Sequence, residues 1–287
     1  MNIKYQLYRY YLLYFKKLYL YNSSGLISGN MFKQLCNKKF NINDKNYFKN
    51  INDGDLIFVD YEDIIYFLNK GSELKDINFG ILVHNLNGKK INENLITSLP
   101  ENILFFSQNL DLKTSNSKNL HKIPTGLHNE YEIYYRKGAS VDFNKYNKVP
   151  AILCNINFTT NPGRKQIIKD ILNLETVHFR NFLKHEKYLE LLNEYMFVLC
   201  PEGTNLDTHR FWETLANRSI PVVKKSSIYD YYQTLGIPML LINEWQDLKK
   251  FSIDDLAQIY QNTDVEQSIK YLKLDFWNSY IKKMLKN

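Results

Sequence analysis

A chain of 287 residues with 44% hydrophobic and 23% charged side chains is long enough for two ordinary domains and too apolar for wholesale disorder. Its net charge of +7 is gathered at one end. Residues 1–50 carry Lys4, Arg9, Lys16, Lys17, Lys33, Lys38, Lys39, Lys45 and Lys49 against Asp44 alone, and the rest of the chain is nearly neutral. That distribution argues against a nucleic-acid enzyme with a basic groove running through it, and no nucleic-acid recognition motif is present.

The N-terminal basicity leaves two readings open: a solvated helix face, or a local contact with an anionic acceptor or anionic membrane. Tyr5, Tyr8, Leu12, Phe15 and Tyr19 recur at helical spacing, as a core stripe or an interfacial helix would. The uncharged apolar run at 10–15 falls far short of the ~20 residues a membrane span needs. Cys36, Cys154 and Cys200 stand apart with no CxxC spacing, so neither a zinc site nor a disulfide framework is expected and a cytoplasmic, reducing compartment fits.

After residue 50 short apolar runs alternate with polar punctuation. Strands are expected at 55–59, 80–84, 103–106 and 121–124, with helices at 62–69 and 93–99 between them. A polar, Tyr-rich stretch at 129–148 reads as the connection to a second domain. From 149 the alternation is clearer: strands at 149–156, 176–179, 196–200, 220–223 and 238–242, helices at 162–174, 185–194, 208–217 and 227–235, then helix to the end, including a long one over 265–285. Strands alternating with helices of this length predict α/β domains built on parallel sheets covered on both faces.

The most informative segment is LCPEGTNLDTHRFWETLANRSIPVV, 199–223. It runs strand, loop, helix, strand, and its polar residues cluster where the strand ends and the helix begins, the place where an open parallel sheet binds ligands and a helix N-terminus offers free N–H groups to phosphate. Glu202, Gly203, Asp207, Thr208, His209 and Arg210 fall there, and Glu213 shares a helix face with Arg210. A guanidinium can grip a diphosphate in bidentate fashion and a carboxylate can accept from ribose hydroxyls. Taken singly, each has a plainer reading: Asp207 as a helix cap, Arg210 with Glu213 as a surface ion pair.

As a set, the segment resembles the donor-binding signature of exostosin-type and xylosyltransferase-like GT-B glycosyltransferases. Pro201, Gly203, Arg210, Glu213, Ile220, Pro221 and Val222 match that pattern; Arg218 departs from it, standing where glycine is usual. NINFTTNPGRK, 155–165, resembles the loop after the first strand of the C-terminal domain in such enzymes, which implies that Thr159, Thr160, Arg164 and Lys165 approach the donor phosphates. FGILVHN, FFSQN and IPTGLHN resemble strand ends of the acceptor-side domain.

The resemblance implies a GT-B architecture of two Rossmann-like domains facing each other across a cleft. Residues 1–148 would form the acceptor side, 149–264 the nucleotide-sugar side, and 265–287 a helix returning to the first domain. It implies a metal-independent glycosyltransferase, with no cofactor beyond the nucleotide-diphosphate sugar and with a glycan, a lipid-linked sugar or a protein as acceptor. Basic side chains would stabilise the departing diphosphate in place of a metal held by Asp-x-Asp; the one such triplet, Asp53-Gly54-Asp55, reads as a turn. An inverting reaction would need a base from the first domain, for which His84, then Asp60 and Glu62, are the candidates. The same fold would also accommodate a sugar-nucleotide epimerase or hydrolase, or a non-catalytic glycan-binding or peripheral membrane module.

Overall fold

The computed structural model describes residues 25–71, 73–89, 91, 96, 99–110, 118–129, 147–181, 183 and 185–286. The N-terminal tyrosine stripe, most of the expected helix at 93–99 and most of the connection at 129–148 lie outside the described residues.

The first domain is a parallel sheet in the order β1 (Lys38–Lys39), β2 (Leu56–Phe58), β3 (Phe79–Val83), β4 (Ile103–Ser107), β5 (Leu120–Lys122). The central strands are nearly continuous runs of Ile, Leu, Val and Phe, as strands buried on both faces require. One face is covered by α2 (Ile64–Gly71) and an aromatic cluster around Phe40, Tyr47 and Phe67. The short helix α1 (Gly29–Leu35), which the sequence pattern did not announce, buries Met31 and Phe32 in the other core.

The second domain repeats the architecture with a different order. Its strands are β6 (Val149–Cys154), β7 (Val177–Phe179), β8 (Tyr195–Leu199), β9 (Ile220–Lys224) and β10 (Leu240–Ile242), all parallel and arranged β10-β9-β8-β6-β7. The chain leaves β6 towards one edge and returns to build the sheet towards the other, so β6 and β8 flank a topological switch point. In such sheets the crevice at the carboxyl ends of the two flanking strands is the ligand site. Helices α3 (Arg164–Ile171) and α7 (Ile253–Asn262) cover one face; α4 (His185–Leu192), α5 (His209–Ala216) and α6 (Ser227–Thr234) cover the other. This is the expected α/β, GT-B arrangement of two Rossmann-like domains.

The two domains share one core. Phe58, Leu82 and Phe106 from the first sheet belong to the same buried cluster as Leu153 and Val198 from the second and Trp212, Tyr229 and Tyr232 from α5 and α6. The C-terminal end of the chain completes it. The single helix expected over 265–285 is broken into α8 (Ser268–Leu272) and α9 (Leu274–Leu285), with Lys273 extended between them at φ −81 and ψ 132. The break has a cause outside the helix: Ile27 donates its N–H to the Leu272 carbonyl and Leu274 donates to Gly25, both at 2.8 Å, an antiparallel bridge that no local pattern encodes. Trp277 of α9 is wholly buried between Phe32 and Trp212, one from each domain. Leu285 lies over β3 where Gly80 has no side chain; a Cβ there would stand 2.9 Å from the leucine methyl.

The departure at Arg218 has a structural counterpart. Helix α5 ends in a Schellman motif: Ser219 donates to the Thr214 carbonyl at 3.1 Å and Arg218 to that of Leu215 at 3.0 Å. Arg218 is therefore left-handed, at φ +54, in the position glycine prefers. Its side chain bonds Glu266 at 2.6 Å, and its carbonyl accepts from the Tyr260 hydroxyl at 2.9 Å. A side chain in this conformation costs about 1–2 kcal/mol, which the pair with exposed Glu266 offsets in part. Arg218→Gly should accordingly leave stability within about 1 kcal/mol of the parent, whereas β-branched Arg218→Val should lose about 2 kcal/mol, both read from urea midpoints at unchanged m-value.

Candidate functional site

The carboxyl ends of the two sheets face each other, and the loop 200–208 between β8 and α5 is the surface where they meet. Leu206 donates its N–H to Asn109 at 2.7 Å, and His209 Nδ1 lies 2.8 Å from the Gly126 carbonyl. At the centre is Asp207, with no exposed surface. Its carboxylate accepts from the Thr125 N–H at 2.9 Å, the Thr125 hydroxyl at 2.5 Å, the Trp212 indole at 2.7 Å and the Tyr232 hydroxyl at 3.0 Å. Asp207 was expected to bind the donor. Both its oxygens are instead spent tying the first domain to α5 and α6, which corrects that assignment to a structural one.

Arg164 is corrected in the same direction. It is buried, and four of its five N–H donors are used: Nε to the Glu202 carbonyl at 2.9 Å, Nη1 to the Asn157 carbonyl and to Thr160 Oγ1, both at 2.8 Å, and Nη2 to the Pro201 carbonyl at 2.9 Å. It thereby staples the loop after β6 to the loop after β8 across the switch point. Gly203 belongs to this cradle, since a Cβ there would lie 3.2 Å from Arg164 Nη2 and 3.8 Å from Thr160 Oγ1. Thr159, hydrogen-bonded to Asn157 at 2.9 Å, and Lys165 are both exposed at the rim. A cavity of about 410 Å³ opens beside the staple, lined in part by Arg164, Pro201, Glu202, Lys225 and Trp245; Arg210 and Glu213 do not line it.

Arg210 sits on the inner side of that staple, at the ends of β6 and β8. Its guanidinium lies 5.0 Å from the centre of the Tyr188 ring, within electrostatic range of Glu213, of Cys154 at the end of β6 and of Cys200 just after β8. Arg164 and Arg210 are close enough to repel, and burial together with that repulsion brings Arg164 down to about 10. Glu213 is 5% exposed. The sequence-predicted pair is thus within electrostatic range at the switch point, Glu213 buried and Arg210 half-buried. Three polar atoms here are shut off from solvent with no hydrogen-bond partner: Arg210 Nη1, Thr208 Oγ1 and Tyr188 Oη. Thr208 occupies the N-cap of α5 without capping it, so the first N–H groups of that helix add further donors. Burial pushes the Cys154 and Cys200 thiols up to about 12, which leaves them as packing groups rather than nucleophiles.

His84, expected as the cleft's base, is packed away from solvent. It is 3% exposed, stacked on Phe32, with Nε2 2.9 Å from the Pro124 carbonyl and Nδ1 accepting the Asn85 N–H at 2.7 Å. Both ring nitrogens are committed, and burial first of all lowers its pKa to about 4. Its periodicity placed it at a strand end; packing under α1 then covered it. Asp60 lies 3.8 Å from Lys33, and Glu62 pairs with Lys89, both on the outer rim. Asp53 and Asp55 flank a turn at Gly54, φ +78, and Asp55 is bound by Lys38 at 2.5 Å. Among the described residues no group of three His, Cys, Asp or Glu side chains could hold a metal ion, and no helix is long and apolar enough to cross a membrane. Sequence reasoning missed Tyr188, whose role is set by a tertiary contact and whose residue type is hidden in a Tyr-rich chain.

No protein-family model and no curated protein matches the sequence. Among solved structures the chain is similar to the trehalose-6-phosphate synthase OtsA (TM-score 0.49, 10% identity, 83% of this chain and 73% of that one). It is also similar to an E. coli trehalose-6-phosphate protein bound with UDP-2-fluoro glucose (TM-score 0.49, 10% identity, 83% and 74%). A third likeness is to a UDP-forming trehalose-phosphate synthase from Burkholderia xenovorans (TM-score 0.44, 10% identity, 81% and 74%). At this level of identity and superposition, the chemistry of this chain has to be read from its own residues.

Removing the Asp207 carboxylate should leave the Thr125 N–H, the Trp212 indole and the Tyr232 hydroxyl buried without an acceptor. Asp207→Ala is expected to cost about 3–5 kcal/mol in chemical denaturation, and Asp207→Asn, which keeps one acceptor, distinctly less.

Proposed function

We propose that the crevice at β6 and β8 binds a nucleotide-diphosphate sugar and that the protein is a metal-independent glycosyltransferase. The observation that carries this reading is Arg210: a half-buried arginine whose Nη1 is shut off from solvent without a partner, beside a second arginine, at the switch point of a doubly wound sheet. An unsatisfied buried donor costs about 1–3 kcal/mol, and two neighbouring cations repel. One bound dianion relieves both. Thr208 and the N-terminus of α5 supply neutral donors to the same group, and the buried carboxylate of Glu213 suits paired ribose hydroxyls.

When the sugar leaves, negative charge develops on the diphosphate, and Arg210 with the helix N-terminus is already oriented to receive it; preorganised charge of this kind lowers the barrier without a metal. The acceptor is a glycan, a lipid-linked sugar or a protein, entering from the first-domain side. The exostosin-like pattern of 199–223 is consistent with this assignment, and the basic segment at 1–50 is proposed to hold the enzyme against anionic membrane or an anionic acceptor, in the cytoplasm.

Thermal denaturation with UDP-, GDP- and dTDP-sugars tests the binding step. A ligand at 100 times its dissociation constant stabilises the native state by about 2.7 kcal/mol, a rise of several degrees in Tm. One donor should produce it, with or without EDTA; Arg210→Ala should remove it while leaving the unliganded Tm within a few degrees. If none of the donors moves the transition, the transferase reading fails.

A further inference from the structure

With His84 committed to packing, the acid–base group of the cleft has to be found elsewhere. Asp207 is saturated, Asp60 and Glu62 are paired with lysines on the rim, and Glu213 sits with Arg210 among the strand ends. His209 differs from all of these. It is the first residue of α5, adjacent in sequence to Arg210, but directed at the opposite domain: its Nδ1 lies 2.8 Å from the Gly126 carbonyl. A carbonyl can only accept, so Nδ1 carries the hydrogen and Nε2 carries the lone pair. A histidine fixed in this way, with one nitrogen donating to a main-chain carbonyl, presents the other as a base of defined direction.

Resting on the reading of the crevice as a sugar-transfer site, we propose that His209 Nε2 takes the proton of the acceptor hydroxyl. The acceptor O–H bond breaks towards Nε2 as its oxygen bonds to the anomeric carbon. The bond from that carbon to the diphosphate breaks, and its electron pair leaves on the diphosphate oxygen held by Arg210. No further reactant is needed. The geometry assigns the two tasks to neighbouring residues of one helix turn, Arg210 facing the second sheet and His209 facing the first.

The surroundings of the ring set its timing. Burial lowers the His209 pKa, the Gly126 carbonyl opposes that, the His128 ring 5.1 Å away lowers it again and Asp207 raises it. His185 and His84 also lie within electrostatic range of it, and the α5 N-terminus disfavours an imidazolium. The net effect lowers the His209 pKa, burial first of all, which favours the neutral ring that can accept a proton. A bound diphosphate brings negative charge to the same turn, which favours the imidazolium formed on proton transfer, so the base strengthens when the donor is in place.

The test uses the full chain and whichever of UDP-glucose, GDP-mannose or dTDP-glucose raises its Tm most, following release of nucleoside diphosphate across pH with a panel of simple sugars as acceptors. The wild type should lose rate as pH falls through the histidine range, with the limb at higher pH in kcat than in kcat/KM. His209→Asn, whose amide can still donate to Gly126, should lower kcat by about 10²–10⁴-fold and abolish that limb, while the donor-induced rise in Tm stays within a degree. His128→Asn should retain the limb. Turnover by His209→Asn within fivefold of wild type, a limb that persists in it, or loss of the limb in His128→Asn instead would overturn the assignment, as would donor binding by the wild type with no turnover. Should His209→Asn fail to fold, the wild-type profile decides, since kcat without an acidic limb excludes the base. If no donor shifts the wild-type transition, it is the transferase reading that fails, and the two failures are thereby distinguished.

Discussion

The buried carboxylate of Asp207 is the constraint on which this site is built. A charge without exposed surface is tolerable only when its lone pairs are filled, and here the partners come from three separate parts of the chain: Thr125 after β5, Trp212 on α5 and Tyr232 on α6. The requirement to satisfy one group therefore fixes the first domain against the start of α5. Thr208, His209, Arg210 and Glu213 of the candidate site follow within six positions on that helix and its cap. The latch and the site cannot be separated, because the latch aims the helix.

Around it the two arginines divide the work. Arg164 resembles a phosphate ligand in sequence, but four main-chain and side-chain acceptors already surround it, so its charge acts through the field it adds and through the shape of the loops it joins. Arg210 is the complement: held against Tyr188, within range of Glu213, and short of an acceptor. Arg164, with four of its N–H groups paired, organises the loops, and Arg210 beside it, with Nη1 unpartnered, is the group proposed to take an anion. The shared core, with Trp277 packed between Phe32 and Trp212, keeps the two sheets in a single body at this seam.

The errors of the sequence reading share an origin. His84 and Asp207 were placed correctly at element ends, and both were expected to face ligand because polar residues at strand ends usually do. Each was then buried by something distant in sequence: α1 over His84, the β5 loop over Asp207. The long helix at 265–285 failed for the same reason, since the break at Lys273 is imposed by main-chain pairing with residues 25–27. Local periodicity carries no information about partners some 250 residues away.

What the sequence determined alone was everything that rests on period and local chemistry. The alternation of apolar runs with amphipathic stretches specified two parallel α/β sheets, because strands buried on both faces and helices with one apolar face admit few other packings. The segment 199–223 pointed to the candidate site, because a polar cluster between a strand and a helix has a fixed place at the end of a parallel sheet. Only the tertiary structure decided which of those polar residues are spent. Whether a carboxylate, an imidazole or a guanidinium remains available for a ligand depends on the acceptors and donors that the rest of the chain brings to it, and that balance is set by long-range packing.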